Sequence, residues 1–108
     1  MMKVFNLAEI EATPEYGGIV RQALKAGQGA EMSCGTLVLK PGEIMKDFES
    51  HGSDEIFFIA AGELKIKRKQ GEDITASQGQ IVHLPKGEWH WSSNPGKTET
   101  LLFWVNRD

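Results

Sequence analysis

The sequence of 108 residues predicts an all-β fold in a single domain, residues 1–108. Two observations carry that expectation. Twelve glycines are spread along the chain and separate short apolar and β-branched runs, which is the spacing of strands and turns. Glu63–Lys69 alternates cleanly, with Leu64 and Ile66 on one side and Glu63, Lys65, Lys67 and Lys69 on the other, as a strand does when one face meets water.

In chain order, Ile19–Ala26 is the only segment with a helical reading, resting on Ile19, Leu24 and Ala26 at poor periodicity. Thr36–Lys40 reads as a strand closed by the Pro41-Gly42 turn. Glu55–Ala60 reads as a second strand, turning at Ala61-Gly62 into the alternating strand Glu63–Lys69, which a turn at Gly71 follows. Gln80–Leu84 ends at the Pro85-Lys86-Gly87 turn, and Thr100–Val105 follows the Pro95-Gly96 turn. Ile56-Phe57-Phe58-Ile59 and Leu101-Leu102-Phe103-Trp104-Val105 are apolar on both faces. Such strands require cover on both sides, from a two-sheet core or from a second subunit, so a homodimer is expected.

Composition excludes several classes. At 40% hydrophobic and 25% charged residues, the chain is neither disordered nor fibrous. Twelve Lys and Arg against 15 Asp and Glu give a net charge of -3, without the basic surplus that a nucleic-acid partner requires. The lone cysteine, Cys34, forms no intrachain disulfide and cannot build a thiolate zinc site, which fits a reducing compartment. Met1–Asn6 lacks the apolar core of a signal peptide, and no run approaches the roughly 18 apolar residues of a membrane span, so a cytoplasmic protein without a membrane partner is expected.

The chemistry concentrates around His51 and His90. If residues 49–55 run extended, Glu49, His51 and Glu55 share one face. A hairpin at Pro85-Lys86-Gly87 would return His90 to the same cavity as a fourth ligand. Nitrogen and oxygen donors suit Fe, Mn, Ni, Co or Zn better than Cu(I). On spacing alone the same residues also describe a polar loop, because Ser50, Gly52, Ser53 and Asp54 lie among them.

The glycine framework separates the two readings. Gly79 is followed after five residues by Pro85-Lys86-Gly87, after two more by His90, and after three more by Asn94. This resembles the second motif of the cupin superfamily at every fixed position, a match expected by chance with probability on the order of 10⁻⁵. His51, Glu55 and Gly62 are spaced as in the second half of the first cupin motif. In its first half Glu49 stands where a histidine is usual, and six residues rather than five separate it from Gly42. The two motifs span residues 42–94.

The resemblance implies a small cupin β-barrel, a double-stranded β-helix or jelly roll, holding one divalent transition metal (Fe, Mn, Ni or Zn) through His51, Glu55 and His90. Glu49 then occupies the remaining ligand slot, or it stands off the metal as an acid or base. With both carboxylates bound, a filled site is nearly neutral, which weakens attraction for anionic substrates and favours harder ions. The implied function is a metal-dependent enzyme acting on a small polar organic molecule, of dioxygenase, isomerase or lyase type. The alternative is a non-catalytic small-molecule binding or sensing cupin, and a third reading is a decayed metal site.

Other residues have structural readings. His83 shares a strand face with Ile81 and reads as a structural or rim histidine. Trp89, Trp91 and Trp104 read as core or interface aromatics, whereas Phe57 shares the face of Glu55 and walls the cavity. Asn94 fixes a turn through its side chain. Gly62, Gly79 and Gly87 serve backbone requirements, and Cys34 is a small buried residue.

Overall fold

The computed structural model describes residues 1–45 and 48–108. After a 3-10 turn at Leu7–Glu9, the described residues form nine strands: β1 Thr13–Glu15, β2 Gly18–Leu24, β3 Ser33–Leu39, β4 Glu55–Ala61, β5 Glu63–Arg68, β6 Ile74–Ser77, β7 Ile81–Leu84, β8 His90–Ser93 and β9 Thr100–Asn106. They make two antiparallel sheets, one ordered β1-β2-β3-β9-β4-β7 and one ordered β6-β5-β8. No helix among the described residues is long and apolar enough to cross a membrane.

The doubly apolar strands lie in the middle of the larger sheet. β9 pairs with β3 from Ser33 opposite Asn106 to Leu39 opposite Thr100, and with β4 from Ile56 opposite Val105 to Ala61 opposite Leu101. Alternation sends Leu102 inward, fully buried, and Phe103 outward, 41% exposed. Leu39 and Ile59 join Leu102 in the core, facing Leu64 and Ile66 of the smaller sheet. Each such side chain contributes about 1.5–3 kcal/mol through burial. The outward residues of β4, β7 and β9 form an apolar strip, since Phe58 (40% exposed) pairs with both Ile81 (68%) and Phe103.

The helix expected at Ile19–Ala26 is a strand. β2 pairs with β1 and β3, and it starts from a two-residue hairpin turn in which Tyr16 (φ 56°) and Gly17 (φ 84°) both have positive φ. Gly18 lets β2 lie against β3, because a Cβ there would fall 2.1 Å from the Val38 carbonyl oxygen. β-branched Ile19 and Val20 suit this pleated setting, and Val20 is buried. β1, β6 and β8 carry too few apolar residues to be visible as strands in the sequence. Cys34 is half-buried rather than buried.

Candidate metal centre

The cavity that holds the candidate ligands opens between the two sheets. Glu55 begins β4 of the larger sheet, and His90 begins β8 of the smaller one. His51 comes from the connection between β3 and β4, and a backbone pair holds that connection to β8: Glu49 N donates to His90 O (2.7 Å) and His90 N donates to Glu49 O (2.9 Å).

His51, Glu49 and Glu55 converge, although not through an extended strand. Gly52 and Ser53 form a bend, and the polar residues of the run find partners elsewhere instead of in a ladder. The Gly52 N–H donates to Asp108 Oδ2 (3.0 Å), Ser53 Oγ accepts from the Arg107 N–H (2.8 Å), and Asp54 Oδ1 accepts from the Lys86 N–H (2.9 Å).

His51, Glu55 and His90 each offer a donor atom within 4.8 Å of the others. His51 Nε2 lies 3.2 Å from Glu55 Oε1, and His90 Nε2 lies 3.6 Å from the same oxygen. Ligands about 2.0–2.2 Å from a shared ion stand about 3.0 Å apart at right angles and about 3.4 Å apart in a tetrahedron, so the group could hold a first-row divalent cation with little movement. Both imidazoles turn Nε2 to the site. His51 Nδ1 donates to Asp108 Oδ2 (2.9 Å), and His90 Nδ1 donates to the Glu88 carbonyl (3.1 Å). Glu55 Oε2 accepts from Asn106 Nδ2 (2.8 Å), leaving Oε1 for the site. Glu49 stands beside this trio, its Oε1 3.1 Å from His51 Nε2.

Charge draws the group together. Glu49, Glu55 and Asp108 all face the His51 ring. The hydrogen bond to Glu55, then the charges of Glu55 and Glu49 and the bond to Asp108, outweigh burial and push His51 up to about 9. At neutral pH it is therefore an imidazolium among carboxylates. Burial pulls His90 below the usual histidine range, keeping it neutral and ready to coordinate. Burial also raises the Glu49 carboxyl, opposed by His51 and reinforced by Glu55. Burial, then the charges of Glu49, Glu15 and Glu55, push Tyr16 up to about 12, so its hydroxyl stays protonated.

The cavity measures about 60 Å³, with Leu37, Phe57, Leu102 and Trp104 forming its apolar side and Tyr16, Met45 and Glu49 also lining it. Tyr16, Met45 and Glu49 also line an outer groove of about 640 Å³ beside the β1–β2 hairpin. Phe57 walls the cavity as its parity with Glu55 predicts. Trp104, opposite Phe57 in the register, packs against the core as its reading has it and lines the cavity as well. His83 is a surface residue on Asp54, 2.9 Å away. Tyr16, Asn106 and Asp108 carried no sequence signal. Tyr16 sits in a turn, and the other two follow an apolar run whose end alone could have drawn attention to them.

Residues 35–106 match the sequence profile of the cupin domain family. No curated protein sequence matches the chain. Among solved structures, a cupin 2 conserved barrel domain protein from Salinispora arenicola is similar over 100% of this chain and 90% of its own, at 19% identity and a TM-score of 0.82. A putative ethanolamine utilization protein Q from Salmonella typhimurium is similar over 98% and 85%, at 20% identity and 0.80. The polyketide cyclase RemF from Streptomyces resistomycificus is similar over 98% and 79%, at 18% identity and 0.80. These proteins differ in what they do, and the fold is the property they share with this chain. The profile match takes in β3 to β9, with every residue of the His-Glu-His group inside it, and this chain belongs to the cupin domain family.

Proposed function

We propose that the chain is a metal-dependent cupin enzyme that binds one divalent cation, Fe, Mn, Ni or Zn, through His51, Glu55 and His90 and acts on a small polar organic molecule. The observation that carries this reading is the convergence of three carboxylates on His51 beside a second imidazole that burial keeps neutral. When bound, the cation would polarise a carbonyl or enolate oxygen as a Lewis acid.

The protein's own residues supply the rest. Glu49 lies outside the mutually close trio, next to the outer groove and with its carboxyl raised. That supports a role as the acid or base that moves a substrate proton, rather than as a fourth ligand. Tyr16, its hydroxyl protonated, lines both the cavity and the groove beside Glu49. The apolar wall of Phe57, Leu102 and Trp104 excludes water from the reacting end. The cavity's volume of about 60 Å³ is small beside the outer groove's of about 640 Å³. Only the reacting end of a substrate fits there, with the remainder in the outer groove.

Titration calorimetry of the metal-free protein with Mn²⁺, Ni²⁺ and Zn²⁺ tests this. About one equivalent should bind, releasing about one proton at pH 7, because His51 must lose the proton it holds up to about pH 9. Release should fall toward zero above that pH. Absence of saturable uptake for every ion, and for Fe²⁺ under anaerobic conditions, overturns the metal reading and leaves a small-molecule binding cupin.

The apolar strip of Phe58, Ile81 and Phe103 supports the homodimer, since a second copy would cover what the monomer leaves in water. Sedimentation should give the mass of two chains, and Ile81→Lys with Phe103→Lys should give the mass of one. A single-chain mass for the parent overturns it.

A further inference from the structure

We propose that Asn106 and Asp108 are positioning residues that aim the metal-facing atoms of Glu55 and His51 from behind. The proposal rests on the metal reading above.

The two side chains act on opposite atoms of the same groups. Asn106 Nδ2 occupies Glu55 Oε2 at 2.8 Å, so Oε1 is the oxygen left for the cavity. Asp108 Oδ2 accepts from His51 Nδ1 at 2.9 Å, so Nε2 is the nitrogen left for it. A carboxylate can only accept, which fixes the proton on Nδ1 and the lone pair, once Nε2 loses its proton, on the cavity side.

The segment that carries both residues is itself tied down. Asp108 N donates to Asn106 Oδ1 (3.1 Å), and Arg107 N donates to Ser53 Oγ (2.8 Å). Ser33 Oγ donates to Asp108 O (2.6 Å) while accepting from Ala26 N (2.9 Å). Asp108 Oδ2 takes a second donor, the Gly52 N–H, so one oxygen sets both the ring and the backbone beside it. β9 and β4 are neighbours, with Ile56 opposite Val105, and this register delivers Asn106 next to Glu55.

Outer partners of this kind are worth about 10–100-fold in metal affinity. Zinc is the probe. Asp108→Ala should lower zinc affinity by about 10–100-fold with one equivalent still bound, and Asp108→Asn, whose amide oxygen can still accept from Nδ1, should recover most of that loss. Asn106→Ala should give a loss of similar size through Glu55. Nitrogen-15 spectra of the zinc-loaded protein should show a protonated, slowly exchanging His51 Nδ1 in the parent and in Asp108→Asn, and loss of that signal in Asp108→Ala. A merely structural role would leave it in place. Parent-like affinity and an unchanged Nδ1 signal in Asp108→Ala overturn the proposal while the metal reading stands. Failure of the parent to take up zinc or any other divalent ion overturns both.

Discussion

His90→Ala should abolish tight metal binding and leave the barrel folded. Structural zinc sites with four ligands bind with about 10–16 kcal/mol, so one ligand is worth about 3–4 kcal/mol, a factor of about 10²–10³ in affinity. In a site built on three mutually close donors that is enough to lose the ion during purification. The fold should survive because Leu39, Ile59, Leu64, Ile66 and Leu102 pack elsewhere. The lost ring gives up its edge contact with Phe57, centroids 6.2 Å apart, and its bond to the Glu88 carbonyl, and enlarges a cavity that is already there. Elemental analysis beside the parent reads the metal, and tryptophan fluorescence during urea unfolding reads the fold. His51→Ala should lose metal to the same degree and also destabilise the metal-free protein more. It removes the imidazolium around which Glu49, Glu55 and Asp108 gather, leaving carboxylates that repel. Parent-like metal content in both variants would sink the site assignment.

The backbone framework was legible because its residues answer to local geometry. Gly79 and Gly87 have φ of 87° and 76°, a conformation that a side chain would strain, so their spacing around Pro85 is visible without knowledge of the fold. Convergence of Glu49, His51 and Glu55 was also legible, but for a different reason from the one that holds. Strand parity predicts it, whereas a bend at Gly52-Ser53 and the Glu49–His90 backbone pair produce it. The β2 strand does not show in the sequence because Ile19, Leu24 and Ala26 alone suggest a helix, and the close approach that Gly18 permits appears only with β3 beside it. Asn106 and Asp108 were illegible for a similar reason. Their partners Glu55 and His51 lie 51 and 57 residues away, and only the pairing of β9 with β4 brings them together.

Asn94 is the motif residue whose replacement should cost the most stability, and it should do so without touching the metal. It is 2% exposed. Its Nδ2 donates to the carbonyls of Leu39 (2.9 Å) and Thr98 (2.8 Å), and its Oδ1 accepts from the Gly96 N–H (2.9 Å), so one side chain joins the end of β3 to the loop that leads into β9. Asn94→Ala leaves two carbonyls and one N–H without these partners. At about 1–3 kcal/mol for each group left buried and unpaired, with water reaching some of them, the expected loss is about 2–4 kcal/mol. Total stability for a domain of this size is about 5–15 kcal/mol, so that loss is a large fraction of it. With a urea dependence of about 1–3 kcal/mol per molar, the midpoint should fall by about 1–2 M. Asn94→Asp should be no better, because it keeps the acceptor for Gly96 and sets a carboxylate oxygen against two carbonyls. Zinc affinity of the folded Asn94→Ala protein should stay within about twofold of the parent, since Asn94 touches none of His51, Glu55 and His90 and outer-shell effects need such contact. Loss of zinc binding with the urea midpoint unchanged would move Asn94 from the frame of the barrel into its site.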